Sequence, residues 1–153
     1  MNERFDIELC LLSQARYLCV ARAAVSAALQ KYGFGADPCA KMMLAVDEAL
    51  TNIIRHGYEG REDGPIWLRL RPEQLNGSNG VRIVIEDHAR QVDPSAMRGR
   101  DLKDVRPGGL GVHIIREVMD EVTYEPRDDG PGMRLVMTRS IGQPAASQKA
   151  DAS

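Results

Sequence analysis

Cysteine is scarce in this chain: Cys10, Cys19 and Cys39 are the only three, and no two of them form a CxxC pair. That odd, scattered set gives neither a disulfide framework nor a thiolate metal site, and it fits a reducing, cytoplasmic setting. No run of 18 or more apolar residues is present, so no segment reads as a membrane span. The first residues, MNERFDIEL, carry acids where a secretory leader would carry basic residues followed by an apolar run. There is no excess of basic charge: the net charge is -2. Bulk attraction to nucleic acid is thereby excluded as the organising function. A GK[ST] sequence is missing too, so this is no P-loop protein.

What is present suits one domain. The 153 residues are 43% hydrophobic, enough for one packed core. Phe5, Ile7, Leu9 and Leu11 alternate with polar or small positions and predict a half-buried strand. Ser13 offers a helix N-cap, with a helix over residues 14–32 ended by Gly33 and Gly35. Asp37-Pro38 predicts a second helix start, running to His56 and closed by Gly57. Ile66, Leu68 and Leu70, then Val81, Ile83 and Ile85, predict a hairpin around the turn cluster at residues 76–80. Trp67 shares the parity of Arg69 and Arg71, which suits either a cover for the less buried face of that sheet or a partner site. Residues 87–107 show no period and read as a long loop. A third helix to about Met119 and a last hairpin, 121–125 with 134–139, follow. Hairpins interrupted by helices indicate an α+β fold with about three helices layered on one face of the sheet. Residues 1–141 form the predicted domain, and the small, polar residues 142–153 form a disordered tail.

Three segments could carry chemistry. In the second helix Glu48, Asn52 and His56 stand at i, i+4 and i+8, so they share a face. Asparagine disfavours a helix interior, but its carbonyl oxygen is a hard donor suited to magnesium. A glutamate one turn earlier could take a proton from a nucleophile. The plain alternative is a solvated polar stripe. In the second segment, the strand at residues 81–87 ends in Asp87, a carboxylate that could accept a purine amino group or could simply cap a turn. In the third, Gly108, Gly109, Leu110 and Gly111 precede an amphipathic helix, where backbone N–H groups and the helix dipole favour an anion. Arg98, Arg100, Lys103 and Arg106 lie just before them and could face phosphate oxygens. A flexible linker and a solvated loop are the alternatives there.

The order of these segments, together with the wording DEALTNIIRHGY, VDP, DLKDVRPGGLG and HIIREVMDEVTY, resembles the N, G1 and G2 boxes of the GHKL ATPases. Within that superfamily the chain looks most like the RsbW-like anti-sigma-factor serine/threonine kinases, over roughly residues 5–141. The resemblance implies the Bergerat ATP-binding fold, with a mixed, mostly antiparallel sheet. It also implies Mg-ATP as cofactor and a protein kinase activity. Glu48 would be the general base, and Asn52 the magnesium ligand. His56, Asp87, Ala89, Arg106, Gly108, Gly109, Leu110 and Gly111 would surround the nucleotide, and residues 95–108 would form a short lid. Ala89 and Met133 stand where the family usually has glycine and threonine. The implied partners are an anti-anti-sigma (STAS) protein as substrate and a sigma factor held by a kinase homodimer, with no direct nucleic-acid or membrane partner. Two other functions fit the same motifs: a non-catalytic, ATP-gated binding module, and a switch kinase that activates a phosphatase.

Overall fold

The computed structural model describes residues 2–90 and 107–142. The residues outside it include Arg98, Arg100, Lys103, Arg106, the expected lid up to residue 106, and the expected tail from residue 143 on.

Among the described residues five strands form one sheet: β1 (Ile7–Leu12), β2 (Pro65–Leu75), β3 (Ser78–Asp87), β4 (Glu121–Pro126) and β5 (Met133–Ser140). Their spatial order is β1-β2-β3-β5-β4. Every neighbouring pair among the described strands is antiparallel, in keeping with the mostly antiparallel sheet expected. Among the described residues three helices accompany it: α1 (Leu18–Lys31), α2 (Ala36–Asn52) and α3 (Pro107–Val118). The α+β architecture is as expected, and no described helix is long and apolar enough to cross a membrane.

The period-two pattern sets the register. Ile7, Leu9 and Leu11 pair with Leu70, Leu68 and Ile66, and Leu68 and Leu70 pair with Ile85 and Ile83. Ile83 and Ile85 then face Met137 and Leu135. These residues share one face and form a single core with Val25 and Leu29 of α1, Met42, Val46 and Leu50 of α2, and Ile115 of α3. α2 lies between α1 and α3. Burying each of these large side chains is worth about 1.5–3 kcal/mol, which is why the alternation determines which face the helices cover. The opposite face carries Trp67, Arg69, Arg71, Arg82, Glu86 and Arg134. There Glu3 pairs with Arg71 (3.1 Å), Arg82 (2.5 Å) and Arg134 (2.6 Å).

The β2–β3 turn is tighter than the predicted cluster. Only Asn76 (φ 50°) and Gly77 (φ 81°) lie outside the ladder, and Leu75 pairs directly with Ser78. Two successive positive φ values match the twist of a two-residue hairpin loop, for which Asn-Gly is the favoured pair.

Both predicted helix starts are displaced. Ser13 does not cap α1. Its hydroxyl is buried, donates to the Arg61 carbonyl and accepts from Gly64 N–H (3.0 Å). A hydroxyl engaged 51 residues away cannot cap locally. Gln14 takes the cap position without a side-chain bond, and one 3-10 turn, Ala15–Tyr17, leads into α1. α2 begins two residues before Pro38, with Gly35 as its N-cap and Cys39 N–H bonded to the Gly35 carbonyl (3.0 Å). Pro38 still falls in the first turn, where a missing N–H breaks no helical bond, and Asp37 pairs with Lys41 (3.2 Å).

Candidate functional site

α2 stops being α-helical at Asn52. The next turn, Ile53–Gly57, is π-helical, closed by Tyr58 N–H on the Ile53 carbonyl (2.8 Å). Such wide turns are frequent at functional sites. Glu48 and Asn52 lie one α-turn apart, both half-buried, and neither makes a hydrogen bond or ion pair among the described residues. His56 falls in the wider turn, so the regular spacing that put it on their face no longer applies, and its side chain is exposed.

The π turn delivers Gly57 to the end of β3. A Cβ placed on Gly57 would meet the Ala89 Cβ at 3.1 Å. Ala89 is buried and is not among the described residues with positive φ, so alanine is unstrained where the family pattern has glycine.

Asp87 ends β3 on the helix-covered face, paired with Ile66. It is 3% exposed, and its Oδ1 accepts from Ala89 N–H (2.9 Å) and Met133 N–H (3.3 Å). Oδ2 has no protein donor among the described residues. Burial pushes this carboxyl above the usual carboxylate range; the two N–H bonds and the charges of His88 and Arg127 oppose that shift. The nearby Tyr124 hydroxyl is pushed up to about 12, by burial and then by Asp87. A buried carboxylate with one oxygen left for a donor suits an exocyclic amino group.

Residues the motifs did not single out hold Asp87 in place. The Tyr58 hydroxyl donates to the Pro65 carbonyl (2.5 Å) and accepts from His88 N–H (2.7 Å), tying the end of β3 to the start of β2. Gly132 crosses over Asp87 at φ 103°, and a Cβ there would stand 1.8 Å from the Asp87 carbonyl oxygen. Tyr58 was visible only as the last letter of DEALTNIIRHGY, and Gly132 only as the glycine before Met133 in the last hairpin. Tyr58→Phe leaves an N–H and a carbonyl unpaired, so it should lower unfolding stability by about 1–3 kcal/mol in a denaturant titration; an unchanged midpoint would show that water replaces both bonds.

α3 packs along α2, and its first residues are helical already. Gly108, Gly109, Leu110 and Gly111, expected to open this helix, lie in its first turns, after Pro107 at the first helical position. Proline there has its φ set for the helix and no bond to lose.

Residues 11–139 match the histidine kinase-like ATPase domain family. The chain belongs to that family. It is 28% identical over 149 residues to the serine-protein kinase RsbW of Listeria innocua, covering 94% of this chain and 92% of that one. To the serine-protein kinase RsbW of Bacillus cereus it is 30% identical over 148 residues, covering 92% and 89%. These full-length matches place it with the RsbW-like kinases of the GHKL superfamily, as an ATP-binding protein kinase. In fold it is similar to a crystal structure of the RsbU and RsbW domains of Rv1364c from Mycobacterium tuberculosis, with a TM-score of 0.61 at 19% identity. That likeness covers 91% of this chain and 34% of the longer one.

Proposed function

We propose that this RsbW-like kinase transfers the γ-phosphate of Mg-ATP to a serine or threonine of an anti-anti-sigma (STAS) protein, and that as a homodimer it sequesters a sigma factor. The observation that carries the reading is the junction of Gly57 with Ala89. It sets the helix bearing Glu48 and Asn52 against the strand end bearing Asp87. The domain would occupy residues 1–141, in a cytoplasmic protein, with residues 142–153 dispensable.

The residues fit the nucleotide. Asp87 would offer its unused oxygen to the adenine amino group, beside the small side chain of Ala89. Asn52 offers a hard oxygen to magnesium, and Gly108, Gly109, Leu110 and Gly111, at the positive end of α3, would lie along the phosphates with Arg106 and His56. Bound Mg-ATP supplies the phosphoryl group. The chain's own chemical task is then small: Glu48 orients the acceptor hydroxyl and takes its proton, while the fold keeps acceptor and nucleotide in line.

Nucleotide binding should require magnesium. By calorimetry, Asn52→Ala should weaken Mg-ATP roughly tenfold, the loss that about 1.4 kcal/mol produces, and leave magnesium-free nucleotide nearly unchanged. Equal weakening of both would remove Asn52 from the metal. The partner assignment rests on co-purification with ATP and with ADP, followed by labelled phosphate transfer to the captured protein. If no captured protein accepts phosphate, the ATP-gated binding module is the better reading. Capture of a phosphatase activated by the kinase would favour the switch-kinase role.

A further inference from the structure

Asp87 and its neighbour Glu86 point to opposite faces of β3, and the β4–β5 turn is attached to both. On the helix side Met133 N–H donates to Asp87 Oδ1 (3.3 Å). On the open side Arg127, at the start of the same turn, pairs with Glu86 Oε2 (3.3 Å). Arg127 is 13% exposed although its position is in a surface turn. Its guanidinium donates to the Pro131 carbonyl (3.2 Å), pairs with Asp129 (3.1 Å) and lies 6.0 Å from the Trp67 ring centroid. Its own N–H donates to the Gly132 carbonyl (3.0 Å). Arg127, through its side chain and its backbone N–H together, thus ties the two ends of the turn and anchors it to the residue next to Asp87. Glu86 is braced from the far side by Arg69 (2.9 Å) and Arg134 (3.2 Å).

We propose that Arg127 is a positioning residue for base recognition: its clamp on Glu86 and the Pro131 carbonyl holds Met133 N–H on Asp87, and so fixes the unused Asp87 oxygen that reads the amino group of adenine. The inference rests on the reading of Asp87 as the adenine acceptor. The physical route is short. Gly132 passes directly over the Asp87 carbonyl with no room for a Cβ, so a shift of the turn is felt at Asp87. A turn released from Glu86 therefore moves Met133 N–H away from Oδ1. Asp87 then loses a donor that stabilises its charged form, and it is the charged form that accepts best.

ATP and ITP separate this role from general support. Inosine carries a carbonyl where adenine carries the amino group, so the parent should prefer ATP by roughly ten- to a hundredfold. Arg127→Met keeps the bulk beside Trp67 and removes the clamp. It should reduce the ATP/ITP affinity ratio about fivefold or more, with ITP affinity within about twofold of the parent, as read by calorimetry. The pH below which ATP affinity falls should also move upward. Arg127→Lys, which keeps the charge but not the fork, should give an intermediate ratio and carries the test if the methionine variant fails to fold. Arg134→Met removes another Glu86 partner that does not touch the turn, and should leave the ratio unchanged. The proposal is overturned if both Arg127 variants keep the parent ratio, if they weaken ATP and ITP equally, or if Arg134→Met lowers the ratio as much. A parent that binds ATP and ITP alike refutes the reading of Asp87 itself, and the role of Arg127 with it.

Discussion

Glu48→Gln should abolish phosphoryl transfer while leaving nucleotide binding intact. Glutamine keeps the size and hydrogen-bonding reach of glutamate but has neither its negative charge nor its basicity. A positioned general base contributes on the order of 10²–10⁴-fold. The nucleotide, by contrast, would rest on Asn52, Asp87 and the start of α3. Glu48 is half-buried and makes no hydrogen bond or ion pair among the described residues, so removing its charge leaves no protein partner stranded. Transfer of labelled phosphate to the partner should therefore fall by about two orders of magnitude or more. The affinities for Mg-ATP and for the partner should stay within about threefold, well under the tenfold that 1.4 kcal/mol would produce. Transfer at the parent rate would leave a kinase whose base is some other residue. A large loss of ATP affinity would instead make Glu48 part of the nucleotide site.

Asp87→Asn should separate binding from stability in the opposite sense. Burial makes the site of Asp87 unfavourable for charge, which is why its pKa is raised. A carboxyl whose folded pKa lies above its unfolded value favours the folded state at pH values below the unfolded pKa. That contribution is lost as pH rises through the folded pKa. Above the unfolded pKa the burial of this carboxyl is thus a cost to the fold, and an uncharged asparagine removes it while still accepting from Ala89 and Met133 N–H. The nucleotide-free variant should melt no lower than the parent at neutral pH, and its advantage should shrink as the solution is acidified. For adenine nucleotides the charge-assisted bond is gone and an amide that must itself donate stands in its place. Affinity should fall by about 1.5–3 kcal/mol, roughly ten- to a hundredfold. In the parent, ATP affinity should decline on acidification from above the ordinary carboxylate range; in the variant that decline should be absent. Unchanged ATP affinity in Asp87→Asn would show that this carboxylate serves the fold and not the base.

The sequence alone determined the strands, the class of fold and the family. Alternation of Ile66, Leu68 and Leu70 with Trp67, Arg69 and Arg71 encodes which face is buried, because a pleated strand turns successive side chains to opposite sides. Asn76-Gly77 encodes its turn, since few other pairs accept two positive φ values. The spacing of Glu48 and Asn52 was readable because the helix between them is regular. Tertiary structure decided whatever depends on competition between distant partners. Ser13 is a good cap by type, yet Arg61 and Gly64 claim its hydroxyl. His56 lost its place in the stripe where the π turn widened the helix to meet Ala89. The support of Asp87 was hidden for the same reason: Tyr58 acts from 30 residues away and Met133 from 46, through a hydroxyl and a backbone N–H. Every residue type but proline has that N–H, so the sequence could mark Met133 only for its side chain, where the family usually has threonine; only the fold brings its N–H to the carboxylate.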